Sequence, residues 1–523
     1  MLNEEKEILE YIKDAFKLRE QKLYKQAIEM LYKALDMDND NIEVLFQLGE
    51  LYSLMHNYDR ALGYLEQVIS ADNKHLESLK LLSQIYTKEN AFEKALTIAK
   101  TVYEIEQTPQ NLKNIIILTG KTGMINELQL YKDSESCNGD VLYEIANAMY
   151  MNGRTSEAED LLNKNFDNSE SKRLLGKIYF NKNEFDKARE VFDSFPKTTE
   201  DPEVLNYKGL FALEDMDFTE AVKYFSKASS INKSNPTYAY NLANAYFFNG
   251  WMEEAQKAYS KAIYLAPDNL DYRYSIAYLY METNKFDKCK KEVDAILAID
   301  PKHYRTRVLQ ALLLNRNNEY MQAKEILEDN IRNGAEDNFT LTSLTKVYTN
   351  LDMFEQAEKI IKKVIKNNPD NSDYISELAD VYIKEKEFDK AVELANKNIK
   401  ANPNYVYGYV LGARASYEKG DFETAKGFAQ EALLLDMNCS DGYYYLALVR
   451  FNEQDYDEAI ECMKRAITYN PLNPEYYAQM SNIYKAKDDI KTALEYISEA
   501  TDINNSTEYK IMYQELASLN RKK

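Results

Sequence analysis

Glycine and proline are scarce in this 523-residue chain, 15 and 10 in all, which excludes a collagen-like, loop-rich or disordered polymer. The four cysteines, Cys137, Cys289, Cys439 and Cys462, lie far apart and never as CxxC, which excludes a disulfide framework and a zinc ribbon and fits a reducing compartment. Three histidines, His56, His75 and His303, have no carboxylate or cysteine at ligand spacing, so neither a metal site nor a catalytic histidine is expected. No apolar run reaches membrane-spanning length, and the N-terminus MLNEEKEILEYIKDAF is acidic where a secretory signal is basic and then apolar. A cytoplasmic protein that does not span a membrane is expected. Basic residues are also in deficit, 65 against 86 acidic, and a net charge of -21 disfavours nucleic acid, whose binding rests on Lys and Arg displacing counterions.

What the chain has in quantity is apolar and aromatic surface: 45% hydrophobic residues, with 43 Tyr and 20 Phe. It also has a period. A small residue recurs at Ala27, Ala61 and Ala95, and then at Ala221, Ala255, Cys289, Ala323, Ala357, Ala391, Ala425, Ala459 and Ala493, every step being 34 residues. Ala158 and Ala188 belong to the same series, but the register slips around them. Twelve residues before each of these fourteen positions stands a second small or short side chain, among them Ala15, Gly49, Ser83, Gly176, Gly209, Ala277, Thr345, Ala413 and Ser481. Two helices that cross within one unit interdigitate closely only where neither carries a bulky side chain at the contact.

The punctuation between these positions is equally regular. Eleven of the fourteen units place an aromatic three residues before the second small slot, for example Tyr24, Phe92, Phe218, Phe354 and Tyr456. Just ahead of it come Gly153, Gly250, Gly420, Asn90, Asn183, Asn284, Asn318, Asp352 or Asp488, residues that tolerate a left-handed backbone. Pro267, Pro301, Pro369, Pro403 and Pro471 fall twelve residues past the small slot, where a helix has to stop. Segments such as PTYAYNLANAYFFNG and WMEEAQKAYSKAIYLAPDN show apolar spacing at three and four, as two short amphipathic helices do.

On these residues, and on Leu48-Gly49-Tyr52 and Leu175-Gly176-Tyr179, the units over residues 8 to 507 resemble tetratricopeptide repeats. The Trp of the family's first helix is replaced by other large side chains, Leu45, Leu79, Leu205, Tyr409, Tyr443 or Tyr477. The resemblance implies an all-α fold, a right-handed superhelical α-α solenoid of stacked helix-turn-helix repeats. The expected organisation is a block of three repeats over residues 1–109, a degenerate repeat or hinge over 110–138, a block of eleven repeats over 139–507, and a cap helix over 508–523 that covers the last apolar face.

No chemistry of an enzyme stands out. Gly120-Lys121-Thr122 mimics the end of a phosphate loop, but Ile115 stands where that loop needs glycine and no strand precedes it. No GxSxG, HExxH or kinase-like set occurs, and no cofactor is expected. Cys289 fills a small-residue slot and reads as packing. In similar proteins the first helices line a concave groove that holds a peptide or helix of a partner protein. Carrying the groove slots onto the units that begin at Pro236, Leu270 and Tyr304 gives Tyr240, Asn244, Phe247, Phe248, Tyr274, Tyr278, Val308 and Leu312. Tyrosine is common at two of these slots in the family, where it packs on the adjacent repeat, so packing and partner binding both stand open there, as they do for the cluster Tyr443, Tyr444 and Tyr445.

Two groove chemistries known in the family are disfavoured. The Lys/Asn/Arg clamp that takes the carboxylate end of chaperone tails has only Arg173, Lys177 and Asn206 as counterparts, and the slot of an asparagine ladder runs Tyr207, Asn241, Ser275, Leu309, Ser343. The expected function is a non-enzymatic scaffold or adaptor that binds a partner protein in the groove of residues 236–316. The alternative is a regulatory or substrate-recruiting subunit of an enzyme encoded separately.

Overall fold

A computed structural model of the chain describes residues 2–132, 134–164, 167–504 and 506–520. Every regular element among them is a helix: fourteen αα pairs in sequence order, one pair whose second member is a 3-10 helix, and a single final helix, Thr507–Asn520. The chain divides into two compact units, Met1–Trp251 and Met252–Lys523.

The periodic small slots are what the core is built on. All fourteen residues of the second slot, from Ala27 to Ala493 and including Cys289, are 0% exposed. In two repeats a hydrogen bond spans the approach at this point. The Ser83 hydroxyl donates to the carbonyl of Ala95 at 3.1 Å, and that of Ser481 to the carbonyl of Ala493 at 2.7 Å, the two slots bonding across the crossing. Where the first slot is glycine, the facing helix fills the room with a large side chain. A methyl group added to Gly209 would stand 2.6 Å from Phe225 Cε1, and one added to Gly176 2.8 Å from Phe192 Cε2. Phe192 and Phe225 are themselves fully buried.

The turn inside each repeat is a second shared device. In every one of the fourteen units the residue two before the second helix has positive φ, from Lys22 (60°) to Asp488 (65°). It closes the same hydrogen bond each time: Asn57 N–H to Tyr52 at 2.9 Å, Ala91 to Tyr86 at 2.8 Å, Lys285 to Tyr280 at 2.8 Å, Asp489 to Tyr484 at 3.0 Å. This is the six-to-one bond of a helix end capped by a left-handed residue. All nine glycines, asparagines and aspartates expected at this turn are left-handed. Lys22, His56, Met216, Lys386 and Gln454 adopt the same conformation without a side chain that favours it. The five periodic prolines all stand in turns after helix ends. Between repeats, Asn or Asp caps most of the first helices, as Asn269 does by accepting from Tyr272 N–H at 3.2 Å.

Within residues 110–138 the left-handed residue of the turn is kept, but the two small slots are not. Helix Pro109–Thr122 ends on Gly123, left-handed at φ 74°, but the element that follows, Ile125–Tyr131, is a 3-10 helix. The position that is Ala in other repeats is here Leu128, and the slot twelve residues earlier is Ile116, both 0% exposed. Two bulky side chains thus stand, packed in one core cluster, where the other repeats bring two small ones together.

Two consequences can be measured. Gly209→Val forces two branched methyls onto the Phe225 ring and is expected to lower stability by roughly 1–3 kcal/mol, with most of the loss recovered in Gly209→Val/Phe225→Leu; additive losses in denaturant unfolding would show that the two positions do not meet. Met216→Gly, at an exposed left-handed position, is expected to raise stability by about 0.5–1 kcal/mol, whereas an ordinary helical or turn glycine lowers it.

Candidate functional site

The expected groove residues fall on first helices, four in each unit. In the first unit, Tyr240, Asn244 and Phe247 are half-buried on helix Pro236–Phe248, and Phe248 is 56% exposed while stacked on Phe218 at 5.8 Å. In the second unit, Tyr274 and Tyr278 lie half-buried on helix Leu270–Glu282, their rings 6.4 Å apart, and Leu312 on helix Tyr304–Arg316 is half-buried. The Tyr278 ring meets Phe339, on the first helix Asn338–Asn350 two repeats further on, edge to face at 5.9 Å. Burial and the neighbouring Glu282 push its hydroxyl well above the usual tyrosine range, so it stays a neutral donor. Val308 does not line a groove: at 1% exposure it packs with Ala311 and Leu327 in the core of its repeat.

The slot that holds Tyr278 and Leu312 recurs every 34 residues as Lys346, Asp380 and Arg414, and there the face changes character. These three residues, with Asn315, Asn350, Asp373, Glu377, Lys384, Tyr405 and Tyr407, line a cleft of ≈790 Å³ formed by four successive first helices of the second unit. Arg414 Nη1 donates to Asp380 at 2.6 Å, and the Tyr407 hydroxyl approaches the same carboxylate at 3.4 Å. Tyr405 donates to Asp373 at 2.6 Å. Asn350 Nδ2 donates to Asn315 Oδ1 at 3.0 Å, tying two first helices together at the edge. Lys346 Nζ lies 3.6 Å from Glu377. Burial raises the Glu377 carboxyl to about 7 and holds Asp380 above the usual aspartate range despite Arg414. Extending the groove register three repeats beyond Leu312 reaches the Lys346, Asp380, Arg414 series; only the depth of Glu377 is invisible in sequence.

The remaining candidates are structural. Arg173 Nη1 bonds Asp201 at 2.6 Å, Lys177 Nζ reaches Glu203 at 3.3 Å, and buried Asn206 accepts from Asn241 at 2.8 Å, so the three clamp counterparts are engaged within the first unit. His75 caps a helix by accepting from Ser78 N–H at 3.3 Å, His303 bonds Thr306 Oγ1 at 2.7 Å, and His56 is a left-handed turn residue. Burial pushes the Cys289 thiol up to about 11, which removes its nucleophilic form at neutral pH. Gly120, Lys121 and Thr122 end a helix instead of preceding one, and Gly120 packs on Ala148. Tyr445 is buried, Tyr444 meets it edge to face and Tyr476 at a tilt, each at 5.1 Å, and Tyr443 stacks on Tyr469 at 5.8 Å. A second cavity, ≈580 Å³ in the first unit, borders helix Pro109–Thr122, and the Lys80 that lines it is paired with Glu106 at 2.9 Å. Among the described residues no three His, Cys, Asp or Glu side chains could hold a metal ion, and no helix is long and apolar enough to cross a membrane.

Four family models match, all of repeat or repeat-containing families. Tetratricopeptide-repeat models cover residues 236–269, 440–473 and 474–507, the N-terminal repeat region of Psidin covers 271–410, and subunit 3 of the anaphase-promoting complex, or cyclosome, covers 20–102. The chain belongs to the tetratricopeptide-repeat proteins. This repeat fold commonly mediates protein–protein interaction, and no catalytic family is among the matches. Solved structures similar to it include the Cut9–Hcn1 hetero-tetramer of the anaphase-promoting complex, at 16% identity and TM-score 0.43 over 96% of this chain and 95% of that one. A tetratricopeptide-repeat protein of Parabacteroides merdae is 18% identical, with TM-score 0.40 over 47% of this chain and 98% of that one. Comparison with curated protein sequences gives no match.

The raised carboxyl of Glu377 fixes a sign. A group whose folded pKa lies above its unfolded value binds more protons when folded, so its contribution to stability is lost as pH rises from about 4.5 through about 7. Relative to the parent chain, Glu377→Gln is therefore expected to gain on the order of 2 kcal/mol between about pH 5 and about pH 8. A stability difference that stays flat across this window in paired urea titrations would show that Glu377 titrates as an ordinary glutamate.

Proposed function

We propose that the chain is a non-catalytic scaffold whose first helices hold a peptide or helix of a partner protein. The observation that carries this reading is the half-exposed aromatic stretch of the second unit, Tyr274, Tyr278 and Phe339 with Leu312, on a repeat fold whose common use is protein binding. Tyrosine and phenylalanine supply large, rigid contact area at little cost in side-chain freedom, which is why such residues dominate binding energy at interfaces. The exposed Phe248 and its neighbours Tyr240, Asn244 and Phe247 give the first unit a comparable face. A cytoplasmic setting is supported by the unbridged thiols of Cys289, Cys439 and Cys462.

A photo-crosslinking side chain placed at Tyr278 is expected to capture a protein from native extract that the same label at Leu434, exposed on a second helix, does not capture. Tyr274→Ala/Tyr278→Ala should then weaken the captured complex by about 2 kcal/mol or more without loss of helical content. Equal capture at both positions, or unchanged affinity in the double variant, removes the reading.

A further inference from the structure

Glu377 stands in a slot that is buried in the two repeats before it and the two after it, although Ser275 and Gln479, further out in the same register, are half-buried polar residues. At intervals of 34 residues the same position is Leu309 at 0% exposure, Ser343 at 3%, Leu411 at 1% and Tyr445 at 9%. A carboxylate there adds nothing to apolar packing and is costly to desolvate, so the fold has no need of it. Its side chain retains 16% exposure, all that a ligand in the cleft needs to reach it. The other cleft carboxylates have short bonds of their own, Asp380 to Arg414 and Asp373 to Tyr405, each at 2.6 Å. Glu377 is covered by Lys346, 3.6 Å away at the tip of a flexible side chain that is 54% exposed. The cover is loose and can swing out. Tyr407, 40% exposed, presents a ring from the following first helix on which a planar cation can lie.

We propose that this cleft is a receptor for one cationic side chain, the guanidinium or ammonium of an Arg or Lys in a partner segment, with Glu377 as its carboxylate and Lys346 displaced to admit it. The identity of that segment rests on the reading of the first-helix face as the partner surface; the cation site itself is tested without a partner. Binding has a pH sign. The groups facing Glu377 are Lys346 from the preceding first helix, Asp373, Asp380 and Lys384 from its own, and Tyr405, Tyr407 and Arg414 from the following one. A cation favours the ionised carboxylate, whose pKa of about 7 then falls, so affinity rises from about pH 6 to about pH 8.

The test uses the full chain at about pH 8 and constant ionic strength, with the blocked tripeptides Ac-Gly-Arg-Gly-NH2, Ac-Gly-Lys-Gly-NH2 and the neutral citrulline analogue of the first, read as the rise in thermal midpoint with peptide concentration. The arginine or the lysine peptide is expected to raise the midpoint well beyond citrulline, which of the two does so naming the cation, and Glu377→Gln is expected to abolish the difference. Because the chain carries a net charge of -21, any cation is attracted weakly, and Glu431→Gln, which removes the same single charge from an exposed second helix, controls for that. Equal effects of the cationic and neutral peptides, a difference that survives in Glu377→Gln, or one that Glu431→Gln removes equally, overturns the proposal. Failure of the partner surface at Tyr278 leaves these outcomes untouched, so the two readings fail separately.

Discussion

The structure depends on one contact repeated along the chain: the crossing of two helices at a point where neither has a side chain larger than alanine, serine, threonine or cysteine. The hydroxyl of Ser481 reaching the carbonyl of Ala493 shows how near the backbones come. Everything else in the repeat follows from holding that distance. Where glycine opens the first slot, Leu65, Phe192 or Phe225 closes it from the facing helix, so volume is kept although its distribution between the helices changes. Where both slots are bulky, at Ile116 and Leu128, the second helix shrinks to a 3-10 turn. The exception explains the rule.

The turn obeys the crossing as well. Bringing two helices this close with a short connection requires one left-handed residue at a fixed place, and the chain supplies the conformation even where the residue resists it. Lys22, His56, Met216, Lys386 and Gln454 are held left-handed because the six-to-one hydrogen bond and the docking of the next helix outweigh a local penalty of roughly 1–2 kcal/mol. Glycine, asparagine and aspartate made nine of these turns readable from sequence. The other five were readable only through the period, since their side chains carry no turn signal.

The same division runs through the candidate site. Tyr274, Tyr278 and Leu312 were legible because the repeat register assigns first-helix slots to the groove. Val308 shows where this assignment fails: the slot lies at the margin of the crossing, and a β-branched side chain beside Ala311 turns inward and joins the core. The charged stretch was within reach of the register, since Lys346, Asp380 and Arg414 continue the slot of Tyr278. Its chemistry was not. A lone glutamate in a chain with 86 acidic residues carries no mark that distinguishes a solvated carboxylate from one at the bottom of a cleft. Depth arises from four helices meeting, and no local pattern contains it.

Repeat architecture also explains how a poorly solvated carboxylate can be carried at all. In a stack where each repeat packs chiefly on its neighbours, the stability of the whole is close to a sum of repeat and interface terms, so an unfavourable group costs mainly its own repeat and the two beside it. Around Glu377 those interfaces are well founded: Ala357, Ala391 and Ala425 are 0% exposed, and Asn398 bonds the Ser372 carbonyl at 3.0 Å inside the same repeat. A globular core has no such partition, and a carboxylate of this depth would weaken it throughout. Here the crossing that fixes the fold sits between the two helices of a repeat, while the cleft is lined by first helices alone. Side chains on that lining can therefore change from aromatic to charged, repeat by repeat, without touching the contact on which folding depends.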